Sequence, residues 1–193
     1  MEEEKHGFRI MFVGSLTKRK NIIALTCAIT KVLSRIECFT IIGDGPLGSE
    51  IEKEIHSLEK THLIKCMDNT KVKTTMKQYD LLILPSKFDG WGAVVNEALY
   101  AGCRVLASDN CGASTLLDSP ERGSVFPIHD GSNTLEQCIR KEIDKGIQTP
   151  EKRKIVTQWA KTHISGEVAS KEMLDYFMNP EKKQNDIAIW HKG

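Results

Sequence analysis

No apolar run in these 193 residues approaches the ~20 needed to cross a membrane as a helix. The opening Met1-Glu2-Glu3-Glu4-Lys5 is acidic and polar and holds no signal-peptide core, so a cytoplasmic protein is expected. An excess of one charge is also missing. With 27 Lys and Arg against 26 Asp and Glu, the formal net charge is +1, which argues against nucleic-acid binding driven by overall charge and leaves room only for a local basic pocket. The six cysteines (Cys27, Cys38, Cys66, Cys103, Cys111 and Cys138) never form a CxxC pair, and most lie among apolar neighbours. They are therefore expected as reduced, buried thiols of a cytosolic compartment, with no metal held by them. Internal repeats, low-complexity tracts and a second-domain boundary are all lacking, and the length suits one domain with a real core.

What is present is an alternation of short apolar runs with longer helical patterns. Residues 8–13, 38–42, 62–67, 81–84, 104–107 and 124–126 read as strands. Leu81-Leu82-Ile83-Leu84 is almost wholly apolar, as suits a central parallel strand covered on both faces. Helical spacing runs through 20–33, 51–58, 72–79, 92–101, 135–143, 151–161 and 166–177. Repeated βα units predict an α/β fold: a single Rossmann-like domain over 8–178, with a doubly wound parallel sheet of about six strands and C-terminal helices. Residues 1–7 read as linker and 179–193 as a polar tail in which Ile187, Ile189 and Trp190 are able to dock. In such sheets ligands sit at the carboxyl ends of the strands, so the loops after the first four strands carry the interest.

Gly43-Asp44-Gly45-Pro46-Leu47-Gly48 matches GxGxxG between a strand and a helix. A dinucleotide site is disfavoured on three grounds. The match follows the second strand rather than the first, Pro46 removes a backbone donor, and no acidic residue closes the next strand, Asp68 coming slightly late in a turn. The other reading is that the glycines only shape a tight turn.

The informative stretch is 80–113. A buried strand runs through Pro85-Ser86 into a loop holding Asp89, then into a helix that starts near Gly92. Helix starts leave N–H groups unpaired and carry partial positive charge, which suits a phosphate, and Gly90 and Gly92 let a ligand approach the backbone. Glu97 stands among Val94, Val95, Ala98, Leu99 and Ala101, so its helix reads as buried on most sides. A buried carboxylate needs a partner. A ribose diol would supply two donors; a neighbouring Lys or Arg, or water, would serve instead. Asp89 alone also suits a helix cap. Lys18-Arg19-Lys20 is either a solvated run or, since cations are unfavourable at a helix start, the partner of a local anion.

Asp89, seven residues, then Glu97-Ala98 resembles the paired acidic signature of the C-terminal, donor-binding domain of GT-B fold, family 4 retaining glycosyltransferases. Gly14 with Lys20, Ile42-Gly43-Asp44-Gly45-Pro46, Leu84-Pro85-Ser86, Ala101-Gly102-Cys103-Arg104-Val105 and Gly112 fall in the same order as in that family. The resemblance implies a nucleoside-diphosphate sugar (UDP- or GDP-linked) as substrate, with no cofactor and, in keeping with the absence of an Asp-x-Asp motif, no metal. Asp89 would meet sugar hydroxyls, the backbone of Gly90, Trp91, Gly92, Ala93 and Val94 the sugar and diphosphate, and Glu97 the ribose. Lys20, just after the first strand and helped by Arg19, would neutralise the departing diphosphate, with Gly14 also binding donor, making Asp89 and Lys20 the residues of the reaction itself. The backbone around Cys66 and Met67 would face the base. The resemblance also implies an N-terminal acceptor-binding domain or separate subunit, through which alone any peripheral membrane association would arise. The helices near 158–177 would cross toward that half and, without it, would expose apolar residues such as Trp159 or Leu174. Asp89 stands where Glu is usual and Ser15 where Arg often follows the glycine, which keeps a non-catalytic nucleotide-sugar-binding module as the alternative. An oxidoreductase using Gly43–Gly48 is the third class.

Overall fold

The computed structural model describes residues 7–130 and 132–178. Six parallel strands form one sheet: β1 (Arg9–Val13), β2 (Cys38–Ile42), β3 (Thr61–Ile64), β4 (Leu81–Leu84), β5 (Arg104–Ser108) and β6 (Gly123–Phe126), in the order β3-β2-β1-β4-β5-β6. Seven helices accompany them: α1 (Ile22–Thr30), α2 (Gly48–Ile55), α3 (Asn69–Met76), α4 (Ala93–Tyr100), α5 (Ser132–Asp144), α6 (Pro150–His163) and α7 (Gly166–Met178). The fold is the expected doubly wound α/β domain with C-terminal helices.

Side-chain alternation along the strands builds two cores. Ile10, Phe12, Leu81, Ile83 and Leu106 point to the face covered by α1, α2 and α5. Met11, Leu82, Leu84, Val105 and Ala107 point to the other, which holds side chains of α3, α4 and α6. Because both faces are covered, β4 lacks any polar alternation, and all four of its residues are fully buried. The chain winds outward from β1 to β3 and then crosses back to β4. The sheet order therefore reverses between β1 and β4, and the loops after those two strands part around a switch point. β3 ends at Ile64, short of the predicted Met67. Ile42–Ile64 is its last register pair, and beyond it β2 turns away into the glycine loop, leaving Lys65–Met67 nothing to pair with.

Two sequence expectations need correction. Only Cys103 and Cys111 are buried; Cys27 and Cys66 are exposed, Cys38 and Cys138 half-buried, and all six thiols are free. Burial pushes the Cys103 thiol up to about 12 and also raises Cys38, Cys111 and Cys138. Since the thiolate is the nucleophile, iodoacetamide is expected to label Cys27 and Cys66 rapidly in the folded chain and Cys103 only after unfolding. Mass spectrometry of peptides from both states checks this.

Trp159 is not an exposed apolar residue. The Arg122 guanidinium lies 3.9 Å over its ring and His163 stacks on it at 4.9 Å. Leu174 is 65% exposed, as expected. The predicted tail, with Ile187, Ile189 and Trp190, lies outside the described residues, as do residues 1–6 of the predicted linker. No helix among the described residues is long and apolar enough to cross a membrane.

Candidate functional site

The loop after β1 is bent by Thr17, whose hydroxyl accepts from the Lys20 amide at 3.3 Å and closes a single 3-10 turn over Lys18–Lys20. Asn21, in the left-handed conformation (φ 56°), ends that turn and starts α1. The turn carries the Lys20 ammonium across the switch point onto the Asp89 carboxylate, with their side chains only 12% and 13% exposed. Arg19 joins the same two loops differently. Its carbonyl accepts from the Lys87 amide at 2.8 Å, and its guanidinium donates to the Phe88 carbonyl at 2.9 Å. Lys20 therefore faces the site, while Arg19 holds the loop that presents Asp89.

Asp89 does not cap α4. Its amide donates to the Asn110 carbonyl (3.0 Å) and its carbonyl accepts from Gly112 (3.1 Å), while the Trp91 carbonyl accepts from Ala113 (2.7 Å). These bonds zip residues 89–91 to 110–113 and fix where the carboxylate stands. Gly112 is required for the zip, because a Cβ there would lie 2.3 Å from the Gly90 carbonyl oxygen. The N-cap of α4 is Gly92, at φ 85° and ψ 58°, with no side-chain cap and no acidic residue in the first turn. The amides at Ala93 and Val94 thus open the helix with no side-chain cap and no acid within the first turn, as suits an anion site. Trp91 is oriented by a 3.2 Å hydrogen bond from its indole N–H to Asn96 Oδ1.

Glu97 lies one helical turn from Ala93, on the same side of α4. The prediction that it is buried on most sides is not met. Ala93 is exposed, Val94 half-buried, and the Glu97 side chain is 27% exposed, 3.6 Å from the Lys73 ammonium of α3. The apolar neighbours misled because Val95, Ala98, Leu99 and Ala101 turn to the core while Val94 and Glu97 stay half-buried. Lys73, Lys77, Glu97, Asn96 and Tyr100 line an open groove of about 410 Å³ between α3 and α4. Lys73 went unnoticed in the sequence; its only signal was a lysine pair four residues apart on the helix before β4.

Met67 lies in the loop after β3, its sulfur accepting from the Thr75 hydroxyl at 3.7 Å. Asp68 is the N-cap of α3, accepting from the Thr70 amide at 2.9 Å. The GxGxxG glycines have a packing role. A Cβ on Gly43 would stand 1.9 Å from the Gly14 carbonyl oxygen, and one on Gly45 2.7 Å from that of Leu16. They let the β2 loop lie backbone to backbone against the β1 loop, with Leu16 donating to Asp44 and Leu47 donating to Leu16. The loop that a dinucleotide would need is thus spent on holding the Lys20 loop in place.

A doubly wound parallel domain with a cation–carboxylate pair and an open helix start at its switch point belongs to the class of α/β proteins that bind ligands outside the carboxyl ends of their strands. The chain matches the family described as Glycosyl transferases group 1 over residues 7–144, and it belongs to that family. It is 30% identical over 146 residues to an uncharacterized glycosyltransferase of Methanocaldococcus jannaschii, covering 67% of this chain and 37% of that protein. Among solved structures it is similar to HepE of Anabaena in complex with UDP (TM-score 0.74, 18% identity, 90% of this chain and 49% of that one). It also resembles the C-terminal domain of the group 1 glycosyltransferase LpcC of Francisella tularensis (TM-score 0.66, 17% identity, 87% of each chain). The fold is that of a GT-B Rossmann-like domain, and the chain spans well under half the length of the curated relatives it matches.

Proposed function

We infer that this chain is the donor-binding half of a retaining, metal-independent glycosyltransferase, working with an acceptor-binding N-terminal domain or a separate subunit. The observation that carries the reading is the Lys20–Asp89 pair beside the open start of α4 at the sheet's switch point. A nucleoside-diphosphate sugar laid there would put its diphosphate between the Lys20 ammonium and the Ala93 and Val94 amides. Asp89, Gly90 and the Trp91–Gly92 backbone would meet the sugar, and the ribose hydroxyls would donate to Glu97 in the α3–α4 groove. As the glycosidic bond breaks, negative charge builds on the leaving diphosphate, where a fixed ammonium and a helix start stabilise it most. UDP in the similar HepE structure supports a nucleoside diphosphate as the ligand. The base would lie toward the loop carrying Met67. The setting is cytoplasmic, and by itself the chain binds donor without transferring sugar, slow donor hydrolysis aside.

Calorimetric titration of the chain with UDP, GDP, ADP and their sugar conjugates tests this. One nucleoside diphosphate is expected to bind, and Glu97→Ala to weaken it about tenfold, the loss of hydrogen bonds worth ~1–2 kcal/mol. Binding indifferent to Glu97, or binding of NADH in place of all of them, would overturn the reading.

A further inference from the structure

A second cleft lies on the opposite face of the switch point from the α3–α4 groove, and the donor reading leaves it unused. It encloses about 390 Å³, in the range of small-ligand sites, between the start of α1, the β4 and β5 loops and the β6–α5 connection. Its floor reaches the core: Phe126 and Leu135 are each 2% exposed, flanked by the half-buried Ala24 and Ile128. Its rim is polar and, among the described residues lining it, carries no acid: Lys87 and His129 are exposed, and Asn21 makes no side-chain cap to α1. The Lys87 ammonium has no ion-pair partner among the described residues, so the one lysine on this rim is not neutralised by the protein. Lys87 is nonetheless held in place: its amide donates to the Arg19 carbonyl and its own carbonyl accepts from the Asn110 side chain at 3.0 Å.

An apolar floor under an unneutralised cation and two further polar groups selects for an anion carried on an apolar body. We propose that this cleft is a second ligand site, for a phosphate ester with an alkyl-like portion, in which Lys87 and His129 hold the phosphate and Phe126, Leu135 and Ile128 receive the apolar part. Its rim residues Asn21 and Lys87 lie one residue after Lys20 and two before Asp89 in sequence, on the same two loops as that pair. It does not depend on the donor reading being right.

The test follows amide shifts in the NMR spectrum of the full chain during titration with n-hexyl phosphate, inorganic phosphate, glucose 1-phosphate and 1-hexanol. Saturable shifts are expected at Asn21, Ala24, Asn110, Ile128 and His129, with hexyl phosphate binding at least about tenfold tighter than inorganic phosphate because only it fills the floor. Lys87→Ala is expected to weaken hexyl phosphate about fivefold or more by removing the charged donor. Ala24→Phe, which fills the cleft from α1, is expected to abolish binding while leaving nucleoside diphosphate affinity and the melting temperature unchanged. If Ala24→Phe fails to fold, Lys87→Ala alone decides. Shifts centred on Lys20, Asp89 and Ala93 would mean that phosphate had simply found the diphosphate site, and would overturn the proposal. Tighter binding of glucose 1-phosphate than of hexyl phosphate would overturn the apolar half of it. Loss of nucleotide binding with hexyl phosphate still seated in the cleft would sink only the donor reading.

Discussion

Lys20→Ala is expected to lower the affinity for a nucleoside diphosphate by about tenfold to a hundredfold, whereas Asp89→Asn should leave it unchanged or raise it severalfold. The asymmetry follows from the geometry without ligand. The Lys20 ammonium already rests on the Asp89 carboxylate, both largely shielded from water, so an arriving diphosphate competes with that carboxylate for the same cation. Deleting Lys20 removes the attraction and leaves Asp89 facing the phosphates as a like charge. Neutralising Asp89 frees the cation instead. Transfer measured after joining the chain to an acceptor-binding half should fall in both variants, because Asp89 is placed to orient the sugar. Titration calorimetry on the two variants separates the roles. Equal losses of affinity would mean that the pair is only a structural tie between the β1 and β4 loops, and the proposed division of labour would be wrong.

The fold was largely legible because it rests on local patterns. The strands read as short apolar runs because both faces of the sheet are covered, most completely at Leu81–Leu84, and all six lie within a few residues of their predicted places. The site was legible as a set of positions but not as contacts. The sequence named Lys20, Asp89 and Glu97. It did not pair Lys20 with Asp89, because that contact depends on a left-handed residue at Asn21 and on the register of two loops 69 residues apart. Nor did it foresee Lys73 beside Glu97, since nothing in either helix encodes how α3 and α4 settle on the sheet. The glycine loop shows the opposite limit. Its pattern matched a nucleotide motif, yet the closeness of Gly43 to Gly14, invisible in the sequence, is what the glycine serves.

At the other end of the sheet, removing one partner of a buried ion pair is expected to cost about 3–5 kcal/mol. Arg104 opens β5 and Glu142 lies near the end of α5; their side chains are 3% and 0% exposed and meet at 3.2 Å, an ion contact not aligned as a hydrogen bond. Burial lowers the Arg104 guanidinium below its ordinary range, opposed by the neighbouring carboxylates of Glu142 and Asp80. The charge is tolerated because its two terminal nitrogens donate to Gln148 Oε1 (3.1 Å) and to the carbonyls of Glu142 (3.0 Å) and Gly146 (2.7 Å), leaving Nε to the ion contact alone. Glu142 in turn accepts from Ser124 and Lys145, both at 2.6 Å. This network fastens the α5–α6 connection to the start of β4 as well, since the Gln148 amide donates to Asp80 at 2.7 Å. Glu142→Ala would strand Arg104 as an uncompensated buried charge. At about 2–4 °C per kcal/mol for a domain of this size, its melting temperature should fall by roughly 6–20 °C. Arg104→Met combined with Glu142→Leu should recover most of that loss, because an apolar pair of similar volume carries no desolvation penalty. Thermal melts of the two variants decide between these accounts. A small loss in Glu142→Ala would mean that water enters to solvate Arg104 or that the neighbouring Asp80 carboxylate balances its charge. Failure of the double variant to recover would mean that the hydrogen bonds to Gln148 and Gly146, rather than the charge pair, hold the connection.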